Sequence, residues 1–214
     1  MFKVKLDKGL LKTIEEVGFE NHTKTEKKTI SQIKSGKNFI VQAPKGDGKT
    51  TSIVIATIQL LKRSFEDVPR ALIAVNDMEE AEAMKEMFDK LGKHTDLRVF
   101  TAYDKKKLDD NRDEIYIGCD VVIGTPTRIN DLMKVYGLNI GNLMTYIIDS
   151  ADVVFKGKNL PYMNRIAGTL PKKVQQAAFL SEKNTILSQY FKRELDYYEE
   201  IVIEDLSNTE STKE

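Results

Sequence analysis

Nine consecutive residues combine glycines, lysines and hydroxyl groups in a spacing that suits phosphate binding. They are Ala43, Pro44, Lys45, Gly46, Asp47, Gly48, Lys49, Thr50 and Thr51. An apolar run before them predicts a buried strand, and the residues after them predict a helix whose first N–H groups and dipole favour an anion. Lys49 would then reach the β- and γ-phosphates of a nucleoside triphosphate, and the Thr50 hydroxyl would hold Mg²⁺. The general pattern starts with glycine where this chain has Ala43, but the flanking strand and helix favour a phosphate loop over an incidental glycine-rich turn.

Three further segments carry groups that a nucleotide or nucleic-acid site uses. Asp149 ends an apolar run, and Glu26 follows Thr23 at the spacing of a helix capping box. Residues 125–128 start a predicted helix, where backbone N–H groups and an arginine could hold a phosphate of nucleic acid. These four residues are Thr125, Pro126, Thr127 and Arg128.

Taken together, these motifs resemble those of the DEAD-box RNA helicases of superfamily two. Ala-x-x-Gly-x-Gly-Lys-Thr is the form that the phosphate loop takes in that superfamily, and Gly124 to Arg128 resembles the family's Thr-Pro-Gly-Arg motif. The segment Tyr146 to Asp152 lies where the family has a strand ending in Asp-Glu-Ala-Asp. The resemblance extends from about Leu6 to Leu195 and implies the first of two RecA-like domains, without the second.

The resemblance also implies roles for individual residues, with ATP and Mg²⁺ as cofactors. Lys49 and Asp149 would be catalytic, Thr50 and Asp149 would hold the metal ion, and residues 125–128 would contact RNA. Residues 43–51 would bind the nucleotide together with Glu26, which stands where the family has an adenine-reading glutamine. An ionised glutamate only accepts hydrogen bonds, so this replacement affects base selectivity, and a capping role explains Glu26 equally well.

Other positions depart from the family pattern. The catalytic glutamate of the family is Ser150 here, and loss of a general base typically costs about 10²–10⁴ in rate. The family's Ser-Ala-Thr motif falls on residues 181–183, where only Ser181 is retained. Its Pro-Thr-Arg-Glu-Leu-Ala segment falls on residues 76–81, which lack the arginine that faces RNA.

Three hypotheses about function follow. The chain is an ATP-binding module, with RNA as its expected ligand, that hydrolyses ATP weakly and does not unwind RNA alone. Alternatively, it is an ATPase or helicase subunit whose site is completed in trans by a second RecA-like chain or by self-association. The expected partners are RNA and a second RecA-like chain or a regulatory protein. The third hypothesis is a protein-interaction scaffold that keeps the loop only for folding.

Short apolar runs alternate with helical periodicity along the chain. Strands are predicted at 38–43, 71–75, 97–101, 121–124, 144–149, 175–180 and 200–203. Helices are predicted to include 7–17, 23–35, 49–62, 78–91 and 184–195. This alternation predicts an α/β fold, a RecA-like P-loop domain whose mainly parallel sheet carries helices on both faces. We expect a single domain over residues 1–206 and a polar tail at 207–214.

Composition sets limits on partners and compartment. The 214 residues contain 33 Lys and Arg and 33 Asp and Glu, so an RNA site would be local and not a broad basic surface. The single cysteine, Cys119, excludes an intrachain disulfide and a cysteine-based zinc site. No segment resembles a signal peptide or a bilayer span, so we expect a cytoplasmic protein without a membrane partner.

Overall fold

The computed structural model describes residues 6–18 and 23–204. The predicted polar tail at 207–214 lies outside these residues, as does part of the lead-in that precedes Thr23. Within the described ranges, no helix combines the length and the apolar character that a bilayer span requires.

The described residues form a seven-stranded sheet in the order β3-β4-β2-β5-β6-β1-β7, and each pair of neighbours is parallel. In chain order the strands are β1 (Phe39–Gln42), β2 (Ala71–Ala74), β3 (Val99–Ala102), β4 (Val121–Gly124), β5 (Thr145–Ile148), β6 (Gln175–Leu180) and β7 (Glu199–Val202). All seven strands correspond to predicted ones, and the sheet is wholly parallel where a mainly parallel one was expected.

Helices connect the strands. They are α1 (Lys8–Val17), α2 (Lys24–Ser35), α3 (Lys49–Leu61), α4 (Met78–Leu91), α5 (Leu108–Ile117), α6 (Pro126–Lys134), α7 (Ala151–Val154), α8 (Leu160–Thr169) and α9 (Thr185–Glu194), with a 3-10 turn at Gly157–Asn159. The five predicted helices are present as α1 to α4 and α9. Four further helices, α5 to α8, complete the described part of the chain.

Each strand sends alternate side chains to opposite faces of the sheet, as a pleated strand must. In β1, Phe39 and Val41 join a cluster with α1 to α4, whereas Ile40 joins a second cluster that contains α5 to α9. Both faces are therefore covered by helices, and the inner strands β2, β4 and β5 are buried along their whole length.

A buried ion cluster fixes the amino ends of three strands. Asp120 precedes β4, and its carboxylate accepts from Arg70 at 2.7 Å and from Arg98 at 3.0 Å, which precede β2 and β3. Because parallel strands run the same way, fixing their amino ends also aligns their carboxyl ends, where the predicted phosphate loop lies.

Candidate functional site

The phosphate loop connects the end of β1 to the start of α3. Gly46 and Gly48 both have left-handed backbones, with φ of 83° and 76°. A side chain at Gly46 would have open space around it, so glycine is needed there for its backbone conformation and not for room. The backbone N–H groups of Gly46 and Thr50 find no acceptor among the described residues, which leaves them available to an anion.

Lys49 folds over this loop. Its Nζ donates to the carbonyl oxygens of Ala43 at 2.7 Å and Pro44 at 2.6 Å, and to the hydroxyl of Ser181 at 3.1 Å. Burial lowers the pKa of Lys49, while Asp149 and other carboxylates nearby oppose that shift. All three hydrogen-bond partners are neutral oxygens, so phosphate would be a stronger partner for this ammonium group.

The second half of the site is a contact across the sheet. The Thr50 hydroxyl donates to Asp149 Oδ2 at 2.8 Å, and Asp149 is only 4% exposed. Its Oδ1 is buried without a hydrogen-bond partner among the described residues, and burial raises the pKa of this carboxyl group. A buried, half-satisfied carboxylate beside a hydroxyl fits Mg²⁺ held directly or through water.

Protein groups alone do not complete a metal site. Within residues 6–18 and 23–204, no three His, Cys, Asp or Glu side chains are grouped closely enough to hold a metal ion. An ion at Thr50 and Asp149 would take its remaining ligands from water and phosphate, which is how Mg²⁺ commonly binds beside nucleotides.

Side chains after β5 and β6 close the same cavity. Ser150 has a left-handed backbone with φ of 51°, a conformation that costs a residue other than glycine about 1–3 kcal/mol. Asp152 Oδ1 accepts from the backbone N–H of Ser181 at 3.2 Å, and Ser181 in turn contacts Lys49. The carboxyl ends of β1, β5 and β6 are thereby tied together around the loop.

The cavity bounded by these groups has a volume of about 460 Å³. Its lining consists of loop residues and of side chains after β2, β5 and β6: Lys45, Gly46, Gly48, Lys49, Thr50, Thr51, Glu80, Ser150, Asp152, Val153 and Ser181. Glu80 belongs to the segment 76–81, which lacks the family's arginine. The only sequence signal for Glu80 is an acidic residue in the first turn of a predicted helix, and such residues are common.

Glu26 occupies the capping position that its spacing indicated. Its carboxylate accepts from the Thr23 backbone N–H at 3.3 Å, and its own N–H donates to the Thr23 hydroxyl at 3.1 Å. The side chain is also close to the loop, since a Cβ on Gly48 would lie 3.4 Å from Glu26 Oε1. The capping role is therefore present in the structure, and the role of Glu26 in reading the base stays a prediction.

The predicted nucleic-acid segment begins α6 and lines a separate groove of about 330 Å³. Thr125 is the N-cap residue of α6, but its side chain makes no capping hydrogen bond. Thr125, Pro126 and Thr127 all line the groove. Arg128 behaves differently, because it is 7% exposed and donates to the Lys106 carbonyl at 2.6 Å. The backbone of this segment is placed for an anion, while the Arg128 guanidinium is committed to the neighbouring loop.

Comparison with known proteins identifies the family. A family model described as DEAD/DEAH box helicase matches residues 23–181, which is more than half of the chain. The chain belongs to this family. The ATP-dependent RNA helicase FAL1 of Kluyveromyces lactis is 30% identical over 161 residues, which cover 75% of this chain and 40% of that protein.

Solved DEAD-box structures confirm the RecA-like fold. A DEAD box protein from Methanococcus jannaschii superposes with a TM-score of 0.89 at 24% identity, over 94% of this chain and 55% of that one. Dbp5 of S. cerevisiae, bound to Nup159, Gle1, IP6 and ADP, superposes with a TM-score of 0.79 at 22% identity, over 93% of this chain and 53% of that one. The chain thus spans about 40% of the FAL1 helicase and about half of these solved proteins.

Proposed function

We propose that this DEAD-box domain binds ATP with Mg²⁺ and binds RNA, hydrolyses ATP weakly, and does not unwind RNA by itself. The observation that carries the proposal is the 2.8 Å contact between Thr50 and Asp149 beneath a loop that retains Lys49. A cation-binding pair and a phosphate-binding lysine in one cavity form a combined site for a nucleotide and its metal ion. The FAL1 relative is an ATP-dependent RNA helicase, which agrees with both ligands.

ATP would be held by groups that are already close together. Lys49 exchanges the carbonyls of Ala43 and Pro44 for phosphate oxygens, and the N–H groups at the start of α3 converge on the same phosphates. Thr50 and Asp149 hold Mg²⁺, which when bound neutralises charge on the phosphate oxygens. The cost of burying the Asp149 carboxylate, which the Thr50 hydrogen bond offsets only in part, is then reduced by a cation.

Weak hydrolysis follows from Ser150. A serine hydroxyl is a poor proton acceptor, so a site that depended on this position for a general base would lose about 10²–10⁴ in rate. The resemblance places further catalytic arginines on a second RecA-like domain, and the residues described here fold as one such domain. The chain by itself would therefore bind nucleotide more effectively than it turns nucleotide over.

RNA would lie along the groove at the start of α6. Thr125 and Thr127 present the helix N-terminus, and Lys105 and Lys158 supply positive charge beside it. Asp77 and other acidic residues share the groove, so the attraction for RNA is local and modest. Fluorescence anisotropy with a labelled single-stranded RNA tests this arrangement, and Lys105→Ala should weaken binding more than Lys90→Ala on the exposed face of α4.

A second candidate is an ATPase subunit that another RecA-like chain completes. Retention of Lys49, Thr50 and Asp149 favours it, because a site used only for folding does not require all three. The solved Dbp5 complex with Nup159 and Gle1 supports regulatory proteins as a further class of partner. RNA-stimulated ATPase activity that appears only on adding a second chain would favour this candidate over the independent binding module.

A thermal-shift measurement tests the nucleotide site. ATP with Mg²⁺ at about 100 times its dissociation constant should add roughly 2.7 kcal/mol to the free energy of unfolding. For a domain of this size that corresponds to a rise in Tm of roughly 5–11 °C. Lys49→Ala should abolish the rise, and Lys28→Ala, which removes the same charge from an exposed position on α2, should retain it.

Measurements with other nucleotides test base selectivity and the scaffold hypothesis. GTP and ADP, tested in the same way, show whether Glu26 preserves selectivity for adenine. If no nucleotide at millimolar concentration shifts the Tm of the wild-type chain, the proposed function is wrong and the scaffold hypothesis replaces it.

A further inference from the structure

A carboxylate that stands where the family's Pro-Thr-Arg-Glu-Leu-Ala segment has leucine lines the nucleotide cavity. Glu80 lies in the first turn of α4, where its backbone N–H donates to Asp77 Oδ1 at 2.9 Å. Its own Oε2 accepts from the Asn76 backbone N–H at 2.9 Å, which fixes the direction of the side chain. Among the described residues no donor reaches Oε1, so one oxygen remains available.

Sheet order brings Glu80 and Ser150 to the same cavity. Strand β2 pairs directly with β5, and the chain segments that leave their carboxyl ends carry Glu80 and Ser150 respectively. Both residues line the cavity that contains Lys49 and Thr50. A carboxylate delivered from the end of β2 can therefore reach the region that a side chain at the end of β5 faces.

The other carboxylates around the loop are already engaged. Asp149 accepts from Thr50, Asp152 accepts from the Ser181 backbone, and Asp47 accepts from the Thr25 hydroxyl. Glu80 differs because the hydrogen bond that its carboxylate accepts comes from the Asn76 backbone N–H, just before its own helix. That bond does not tie Glu80 to the phosphate loop or to another strand end, and Glu80 lines the cavity. Partial burial raises its pKa, and the charges of Asp149, Asp77 and Asp152 add to that shift, so the carboxylate is a better proton acceptor than an exposed one.

We propose that Glu80 positions and deprotonates the water that attacks the γ-phosphate of ATP, in place of the glutamate that Ser150 has replaced. The water oxygen forms a bond to the γ-phosphorus while the bond from that phosphorus to the β–γ bridging oxygen breaks. Glu80 Oε1 takes one proton from the water, and ADP leaves with the electron pair of the broken bond. The inference rests on the proposed function, because it requires ATP at Lys49 and Thr50.

The competing explanation is that Glu80 only caps α4. Glu80→Gln separates the two roles, because glutamine retains an oxygen that accepts from Asn76 but does not accept a proton at neutral pH. The matched control is Glu86→Gln, which makes the same chemical change at an exposed position of the same helix.

Single-turnover hydrolysis of γ-labelled ATP, with protein in excess and Mg²⁺ present, is the first measurement. Glu80→Gln should lower the rate constant by about 10²-fold or more, while Glu86→Gln leaves it within about twofold of wild type. Adding Ser150→Glu to Glu80→Gln should restore hydrolysis, because a carboxylate then returns to the same cavity from β5. All four proteins should show the same ATP-induced rise in Tm.

A second readout does not depend on turnover. ADP with aluminium fluoride imitates the reacting phosphate with its attacking water, whereas ADP with beryllium fluoride imitates the ground state. Wild type should be stabilised more by the first than by the second, and Glu80→Gln should lose that difference while retaining its response to ATP.

Each other result overturns the inference. It is wrong if Glu80→Gln hydrolyses ATP at the wild-type rate, or if wild type binds ATP and leaves it intact. Loss of the ATP-induced Tm rise in Glu80→Gln would show a binding role instead of a proton-accepting one. Absence of that rise in wild type would refute the proposed function itself, which is how the two failures are distinguished.

Discussion

Replacement of Asp120 by alanine should destabilise the domain strongly, because this carboxylate holds together the starts of three neighbouring strands. It accepts from the side chains of Arg70 and Arg98, from the backbone N–H of Phe65 at 3.1 Å and from that of Arg98 at 3.0 Å. Its side chain is fully buried. Removing one member of a buried ion pair typically costs about 3–5 kcal/mol, because the remaining charges lose their partner without regaining water.

Asp67 provides the matched control. It contacts Arg98 at 2.7 Å, a distance equal to that between Asp120 and Arg70, but its side chain is 74% exposed. Exposed pairs contribute about 0–1 kcal/mol, so Asp67→Ala should cost no more than that. The two variants together test whether burial, and not contact distance, determines the contribution.

The same carboxylate predicts a dependence on pH. Burial opposes its ionisation, but hydrogen bonds from Arg98, Arg70 and the backbone outweigh burial, and the pKa of Asp120 lies below its ordinary value. A depressed folded-state pKa gives stability that is present above the unfolded-state pKa of about 3.9 and is lost as pH falls through the folded-state value. The difference in free energy of unfolding between wild type and Asp120→Ala should therefore shrink as the solution is acidified below about pH 4.

Urea unfolding at neutral pH, followed by circular dichroism, measures the free energies of unfolding of the wild type and both variants. In a thermal scan, Asp120→Ala should lower the Tm by roughly 6–20 °C. A cost below about 1 kcal/mol for Asp120→Ala, or equal costs for the two variants, would refute the reasoning.

Two further predictions concern the site. Asp149→Asn should remove the Mg²⁺-dependent part of the ATP-induced Tm rise, measured with MgCl₂ against EDTA. Burial raises the pKa of Asp149, so at pH 8 the ionised carboxylate destabilises the folded protein. Asp149→Asn removes that charge and should therefore not lower the Tm of the nucleotide-free protein at pH 8. Arg128→Ala should lower the free energy of unfolding by about 1.5–3 kcal/mol in urea, since its buried guanidinium bonds the Lys106 carbonyl. Lys105→Ala, at an exposed position of the same groove, should leave that free energy nearly unchanged.

The sheet could be predicted from the sequence because its strands carry an unusually clear signal. Strands buried on both faces read as continuous apolar runs, as in residues 71–75 and 121–124. Helix α5 gave no such signal, because only Asn111 and Ile115 of its ten residues are buried and most of the others are polar. Helix α7 has four residues, too few for any period to appear.

The residues of the site also differ in how far the sequence predicts them, depending on whether their contacts are local or long-range. The phosphate loop is contiguous, so Lys49 and Thr50 could be identified from spacing alone. The partner of Thr50 required the order of β1 and β5 in the sheet, which the family resemblance provided and composition did not. The orientation of Arg128 toward Lys106 depends on the loop after β3, whose path no local pattern specifies.

Glu80 shows what a parallel sheet permits at such a site. Every strand of the sheet ends at the same edge, so the neighbours of β5 can each deliver a side chain to the space in front of its carboxyl end. Phosphate and metal binding need particular groups on β1 and β5, because Lys49, Thr50 and Asp149 must meet one ligand together. A proton acceptor has a weaker requirement, since it only has to lie within hydrogen-bond reach of one water molecule. A carboxylate just beyond the adjacent strand can satisfy that requirement, and the proposed role of Glu80 would let Ser150 and ATP hydrolysis coexist in one domain.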